Sequence, residues 1–397
     1  MTDFILLGID GGASKVLVNR VMVHTDPIRF SAVKPCVEVN YETSSHFKPG
    51  FKPVPLKKQL AQREKNAVEQ TAAEKKQEAA IIDTFQRAIQ AVLPNGDQES
   101  QVIIGIGLPG LKIKNKRGID AMANGPRMPR FLANLEKALK DTGVTGLEPI
   151  HHLGSDADYC GLGERFGERG ALRDVANAYY IGVGTGVADA LLIDNELVPF
   201  DHIKSWLAKS WEIVRHDGET YESIISGRGI QQRYADRIGQ SLDYLMEQKI
   251  FPWQIFERAL DGEEAASDLV KTVANAFTEL FFNRIKALAV GDDSVKLIQP
   301  DRVLSADHIY KGKVLNRIVV GQRLGDIWQF SDFAPLFKDV VYAQLSSMIH
   351  QSDLPVEIKN AYLTQTKRLD DEFIVGSEIR HAPALGAAVD AYFHWSQ

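Results

Sequence analysis

The hydrophobic pattern near the start of the chain predicts a strand hairpin followed by a long helix. Residues 4–9 ("FILLGI") and 16–23 ("VLVNRVMV") are short, apolar and rich in branched side chains, and a glycine-rich turn separates them. Residues 37–43 predict a third strand. After a Pro- and Lys-rich loop, the apolar spacing over residues 59–93 becomes that of an amphipathic helix.

The middle of the chain repeats this organisation. "QVIIGIGLPGL" predicts a strand that ends in a Gly/Pro turn, and "PRFLANLEKALKDTG" predicts a helix that stops at Gly143. Residues 150–167 predict a strand end that leads into a helix. Residues 177–198 predict two strands around a Gly/Thr turn, followed by an Asp-Asn turn. The rest is predicted to be mostly helical, over 203–216, 219–237, 240–260, 265–289 and 333–351, with strand-like interruptions at "RIVVGQRLG" and "EIKNAYLT".

Two strand hairpins with glycine turns, each followed by helices, predict two similar α/β halves. We place the first domain at residues 1–150 and the second at 151–383. The last helix, 384–397, is a candidate to return to the first domain.

Composition narrows the class of protein. The chain has 397 residues, 44% hydrophobic and 25% charged, which is typical of a globular protein with two domains. A net charge of −6 argues against nucleic-acid binding, and no apolar run is long enough to span a membrane. The N-terminus does not resemble a signal peptide. Two cysteines, Cys36 and Cys160, cannot form a disulfide framework, so we expect a cytoplasmic protein with reduced thiols.

The stretch "GIDGGASK", residues 8–15, has the chemistry of a phosphate site. Adjacent glycines let backbone N–H groups approach an anion, and Ser14 adds a hydroxyl donor. Asp10 could hold a hydrated Mg²⁺, and Lys15 could offset phosphate charge. The pattern is neither a P-loop nor G-x-G-x-x-G, so a hairpin turn with no ligand is the alternative.

"GVGTGVAD", residues 182–189, is a second turn of the same kind, and its alternative is again a plain hairpin. Two such turns in two halves suggest a phosphate held from both sides across a cleft. Asp156 lies where a strand run meets a helix, as a helix cap or as an acceptor for a hydroxyl proton. Glu222 is a sugar ligand or a surface residue. For His202, a structural or surface histidine is the alternative to a functional role.

Protein-held metals are expected only at Asp10. His151 and His152 form no H-x-x-x-H pair and have no cysteine partners.

The order of these motifs resembles the ROK family of sugar kinases, which belongs to the actin-like ATPase superfamily. "GIDGGASK" is similar to its D-x-G-G-T-K motif, "IGIGLPG" to I-G-x-P-G, and "SDADYCGLGE" to the segment with the catalytic base. "GVGTGVAD" is similar to its second phosphate motif and "YESIISGRGI" to its E-x-x-x-S-G-x-x-L helix start. "IVVGQRLG" resembles the adenosine motif, and "HAPALGAA" the C-terminal helix.

The resemblance implies two ribonuclease-H-like domains with a cleft between them, and ATP-dependent phosphorylation of a hexose or N-acetylhexosamine. Asp156 would be the general base, and Asp10 would organise Mg²⁺. The sugar side would comprise Asn124, Ser155, His202 and Glu222. The ATP side would comprise Asp10, Gly11, Gly12, Ser14, Lys15, Gly184, Thr185, Gly186 and Gly321. The implied partners are a sugar and a second copy of the chain.

Several positions depart from the family pattern. Ser155 stands where the family has an asparagine, and Pro199 stands where it has a glutamate. In the second phosphate motif, Ala188 and Asp189 replace the later glycines. In the adenosine motif, Gln322 replaces the second glycine. Asp189 would add negative charge near the phosphates. The Cys-rich zinc knuckle is missing, so no structural zinc is expected.

Three other functions compete with a kinase. A sugar or nucleotide-binding protein without turnover has the same fold. A sugar-responsive repressor is disfavoured because the first strand starts by Phe4. An iron–sulfur activator ATPase is disfavoured by the contexts of both cysteines.

Overall fold

The computed structural model describes residues 4–94 and 100–397, and the chain divides into two compact units. The first unit is Met1–Arg169 with His381–Gln397, and the second is Gly170–Arg380. The sequence analysis placed this boundary at 150/151. The structure places it later because the helix after residue 155 packs against the last helix of the chain.

The first unit contains a five-stranded sheet in the order β3-β2-β1-β4-β7. β2 and β3 are antiparallel to their neighbours, whereas β1, β4 and β7 run parallel. The strands are β1 (Phe4–Gly11), β2 (Lys15–Thr25), β3 (Ile28–Asn40), β4 (Gln101–Gly107), β5 (Leu111–Lys112), β6 (Ile119–Ala121) and β7 (Leu153–Gly154). The helices are α1 (Leu56–Glu64), α2 (Ala72–Val92), α3 (Phe131–Asp141), α4 (Asp156–Phe166) and, from the end of the chain, α14 (Ala382–Trp395).

The second unit has a sheet of the same order, β10-β9-β8-β13-β14, with the same alternation of antiparallel and parallel pairs. Its strands are β8 (Ala178–Val183), β9 (Val187–Ile193), β10 (Glu196–Leu197), β11 (Ile213–Val214), β12 (Lys296–Leu297), β13 (Arg317–Gly321) and β14 (Ile374–Gly376). Its helices are α5 (Phe200–Ile203), α6 (Tyr221–Ile225), α7 (Gly227–Arg237), α8 (Leu242–Glu247), α9 (Pro252–Leu260), α10 (Glu264–Val290), α11 (Gln322–Gln329), α12 (Lys338–Gln351) and α13 (Val356–Tyr362). Short 3₁₀ turns cover Tyr41–Thr43, Ser210–Glu212 and Ser331–Leu336. Two similar α/β halves are therefore confirmed.

The period of two along the strands separates the two faces of the first sheet. In β1, Leu7 and Ile9 belong to the core under α2 and α3, where Phe85 and Phe131 pack edge to face at 5.2 Å. The opposite face carries Gly8, where an added Cβ would lie 1.9 Å from the carbonyl oxygen of Ala384. Small residues on this face therefore let α14 pack directly on the sheet.

Some predicted elements were wrong. A helix was predicted over 203–216, but the helix α5 ends at Ile203. The residues after it form a loop whose apolar side chains, including Trp206 and Leu207, are buried in the core. "EIKNAYLT" forms the helix α13 rather than a strand, and it begins directly after Pro355. Long predicted helices are divided in two, as at Lys249, where the backbone has a left-handed φ of 55°. β14 was not predicted.

Within the described ranges, no helix is both long and apolar enough to cross a membrane.

Candidate active site

Two carboxylates lie at the same edge of the first sheet. The register pairs Asp10 at the end of β1 with Gly107 of β4, and Gly107 with Gly154 of β7. Asp156 follows two residues later as the first residue of α4. Because β1, β4 and β7 are parallel, both acids lie at the carboxyl edge, where α/β sheets bind their ligands.

The charge of Asp156 acts on Asp10. Burial, followed by the negative charge of Asp156, raises the pKa of Asp10 to about 7, while Lys15 opposes the shift. Asp156 accepts a hydrogen bond from the backbone N–H of Ala157 at 3.0 Å through one oxygen. Ser155 occupies the N-cap position but makes no side-chain capping bond. Two neighbouring carboxylates form a donor set that suits a hydrated Mg²⁺, which would relieve their repulsion.

The first glycine turn lies beside these acids. Gly12 donates its N–H to the carbonyl of Lys15 at 2.9 Å, which closes the turn between β1 and β2. The Tyr41 hydroxyl donates to the carbonyl of Gly12 at 3.1 Å, and the Tyr41 N–H donates to that of Ser14 at 2.9 Å. Lys15 forms an ion pair with Glu38 of β3 at 2.5 Å. The turn is therefore held by Tyr41, a residue that the sequence analysis did not identify.

Asn124 shares a small pocket with this turn. Gly12, Ala13, Tyr41 and Asn124 all line it. Side chains of the helices α1 and α2 hold the loop that carries Asn124. The Gln59 amide accepts a hydrogen bond from the Met122 N–H at 2.7 Å and donates one to the Met122 carbonyl at 3.0 Å. Glu74 forms a buried ion pair with Arg127 at 2.7 Å.

In the second unit, the second glycine turn joins β8 to β9. Gly184 donates its N–H to the carbonyl of Gly186 at 3.0 Å. The start of α7 contacts the turn, because Gly227 donates to the carbonyl of Gly184 at 2.8 Å. A Cβ on Gly227 would lie 2.6 Å from that oxygen, so this close approach requires glycine. Thr185, at the tip, is exposed and free to face a ligand.

Glu222 contacts the second turn. A Cβ added to Gly186 would lie 2.8 Å from its carboxyl oxygen. Burial raises the pKa of Glu222, while a hydrogen bond from the backbone of Val187 opposes the shift. The sequence analysis assigned Glu222 to the sugar, and that role stays a prediction; the structure gives it this additional contact with the turn.

Asp189 was expected to add negative charge near the phosphates, and that role stays a prediction. Its charge does act on Glu222 beside the second turn, whose pKa it raises. Asp189 is buried in β9 and accepts hydrogen bonds from the hydroxyls of Tyr179 at 2.5 Å and Ser210 at 2.8 Å. The buried guanidinium of Arg284 donates to it at 3.2 Å. Arg284 therefore partly balances the charge of Asp189 within the core of the second unit.

Gln322 occupies the place of a glycine in the family pattern, with a left-handed φ of 58°. Its side chain lies over the second turn, since a Cβ on Gly184 would be 2.4 Å from its amide oxygen. Gly321 ends β13 in register with Gly182 of β8. The predicted nucleotide side therefore contains an amide that the family pattern lacks.

The structure brings most of the predicted residues together within each unit. In the first unit these are Asp10, Gly11, Gly12, Ser14, Lys15, Asn124, Ser155 and Asp156; in the second they are Gly184, Thr185, Gly186, Glu222 and Gly321. His202 lies on the short helix α5 with an exposed side chain, and Pro199 caps that helix.

Comparisons with known proteins identify the fold. No protein-family model matches the chain. No curated protein matches it by sequence. A ROK family glucokinase from Streptomyces griseus, solved with glucose and AMPPNP, is 14% identical with a TM-score of 0.56, over 97% of this chain and 98% of that one. A ROK hexokinase from Thermus thermophilus is 14% identical with a TM-score of 0.53, over 99% of both chains.

A ROK family transcriptional regulator, a homolog of the E. coli MLC protein, is also similar. It is 14% identical with a TM-score of 0.52, over 98% of this chain and 78% of that one. The protein thus has the fold of ROK-family sugar kinases and of related regulators. The predicted fold class and the resemblance are confirmed at the level of the fold.

Proposed function

We propose that the protein is an ATP-dependent sugar kinase that phosphorylates a hydroxyl of a hexose or N-acetylhexosamine. The observation that carries the proposal is the pair Asp10 and Asp156 at one sheet edge, beside the Gly12 turn. Similarity of fold to glucokinases supports the substrate class.

Asp156 is the proposed general base. It lies at the start of α4 with one oxygen engaged by the Ala157 N–H, so the other is available to accept the proton of a sugar hydroxyl. The deprotonated hydroxyl attacks the γ-phosphorus in line, and ADP leaves. Asn124, on the same pocket as Gly12, is proposed to orient the sugar; Ser155, His202 and Glu222 are further proposed sugar contacts.

The two glycine turns are the proposed phosphate ligands. The proposed ligands are Gly11, Gly12, Ser14 and Lys15 in the first unit and Gly184, Thr185 and Gly186 in the second, and Gly321 is proposed to contact the adenosine. Backbone N–H groups directed at the transferring group stabilise its charge without reorganisation. Asp10 is the proposed holder of Mg²⁺, and this ion, when bound, supplies further neutralisation of phosphate charge.

A screen of acceptors tests the activity. ADP release is measured with Mg-ATP and each of a panel of hexoses and N-acetylhexosamines, against a blank without sugar. We expect one group of related sugars to raise the rate at least about a hundredfold over the blank, as positioned proton transfer does. ADP release that no sugar accelerates would contradict the proposal.

A binding protein without turnover is the second candidate, and Gln322 favours it because its side chain lies over the second turn. Calorimetry distinguishes the two. Saturable binding of a sugar or of ATP, together with no ADP release, would support the binding protein.

A further inference from the structure

Three histidines from distant parts of the sequence meet in the first unit. His151 and His152 directly precede β7, and His394 lies in the last turns of α14. In the described part of the chain this is the group of side chains that could share a metal ion, with candidate ligand atoms all within 4.8 Å. The centroid of the His394 ring lies 4.1 Å from that of His151 and 4.9 Å from that of His152.

We propose that His151, His152 and His394 bind a divalent transition-metal ion of the Zn²⁺ class. Imidazole nitrogens are preferred ligands of these ions, and three of them leave a fourth position for water. Zinc–nitrogen distances of about 2.0–2.1 Å in a tetrahedron place ligand atoms about 3.3 Å apart. The nitrogens therefore need to approach by about 1.5 Å at most, and the side chains of His151 and His394 are exposed.

Asp390 supplies the outer partner that such a site needs. Its Oδ2 lies 2.9 Å from Nε2 of His152 and accepts a hydrogen bond from the Tyr159 hydroxyl at 2.7 Å. When Nε2 carries the hydrogen that this carboxylate accepts, the lone pair of the neutral ring is on Nδ1. A histidine that donates its other ring N–H to a carboxylate is the usual arrangement at protein metal sites.

The surrounding charges permit a cation here. Burial, followed by the neighbouring rings of His152 and His394, lowers the pKa of His151. Arg117, whose charge acts on His151, is paired with Glu136 through two hydrogen bonds of 2.8 and 2.9 Å.

The site would have a structural effect near the proposed base. His152 lies four positions before Asp156, and Asp390 contacts Tyr159 of α4. A bound ion would link α14 to the segment from which α4 begins. The metal site is independent of the proposed kinase activity, because it requires neither ATP nor a sugar.

Metal titration of the full chain tests the proposal. The protein is prepared without a polyhistidine tag, stripped with a chelator, and titrated with Zn²⁺ by calorimetry and with Co²⁺ by visible absorption. We expect one equivalent to bind, the cobalt spectrum of a four-coordinate site, and a higher unfolding temperature with Zn²⁺. His394→Ala and His151→Ala, at exposed positions on separate segments, should each weaken binding at least tenfold.

Two further variants complete the test. Asp390→Asn should lower the affinity about 10- to 100-fold, whereas His46→Ala, an exposed histidine outside the cluster, should change nothing. Binding by the wild type only at millimolar metal, or undiminished binding by His394→Ala and His151→Ala, would overturn the proposal. Neither the calorimetric nor the absorption titration depends on kinase activity.

Discussion

At the scale of single residues, Asp10 is a carboxyl group in an environment very different from water. Its pKa of about 7 results from burial and from the adjacent charge of Asp156. The carboxyl group is thus easier to ionise in the unfolded chain, where its pKa is 3.8. Ionisation of a buried carboxylate is unfavourable because the charge loses its hydration. A bound cation would offset this loss by pairing with the charge.

Replacing Asp10 by Asn should change how stability depends on pH. Because the folded pKa is raised, ionisation of Asp10 lowers the free energy of unfolding as pH rises from about 4 to about 7. We expect Asp10→Asn to be more stable than the wild type at pH 8 without divalent ions, with a difference that disappears near pH 4. Urea unfolding in a chelating buffer measures this. A difference independent of pH would contradict the assigned environment.

Gln322 adopts a backbone conformation that favours glycine. Its φ of 58° costs a residue with a side chain about 1 kcal/mol. Gln322→Gly and Gln322→Ala both remove the side chain over the second turn, but only glycine relieves the strain. We expect Gln322→Gly to be more stable than Gln322→Ala by about 1 kcal/mol, the reverse of ordinary helix preference. Thermal unfolding of the pair measures it, and equal stabilities would contradict the strain.

At the scale of elements, the position of α14 depends on glycines in the first sheet. A Cβ on Gly105 would lie 1.8 Å from the carbonyl oxygen of Ala387. We expect Gly105→Ala to cost about 3 kcal/mol or more through overpacking. Gly50→Ala is the control, because Gly50 has a positive φ but no atom within 4 Å of its Cβ position. Its cost should stay near 1 kcal/mol; equal losses in the two variants would show that α14 does not pack as described.

The elements also show how far the sequence determines the structure. Strands and glycine turns were predictable because β1, β2, β8 and β9 carry continuous apolar runs bounded by turn residues. The region from Ile203 to Ile213 was not, because its apolar residues pack as a loop into the core, and helical spacing does not distinguish the two. β14 is three residues long, too short for a local pattern.

The candidate site was predictable where local motifs define it. Asp10, Gly12 and Asp156 follow from acids and glycines at strand ends. Tyr41 could not be found in this way, because its contact with the first turn depends on the pairing of β2 and β3. The compensation of Asp189 by Arg284 likewise joins residues 95 positions apart, which no local pattern shows.

At the scale of the whole molecule, each unit presents a glycine turn after the first strand of a sheet with the same order. The first unit adds two acids at its strand ends, Asp10 and Asp156. The second contributes the turn supported by Gly227 and Glu222.

The most direct test of the kinase proposal is formation of the sugar phosphate, detected by mass spectrometry, in the wild type and two variants. Asp156→Asn removes the proposed base, and Asp158→Asn is its control, an exposed acid two residues along the same helix. We expect product from the wild type and Asp158→Asn, and a loss of about 10²–10⁴-fold in kcat/KM for Asp156→Asn. Undiminished product formation by Asp156→Asn would contradict the account.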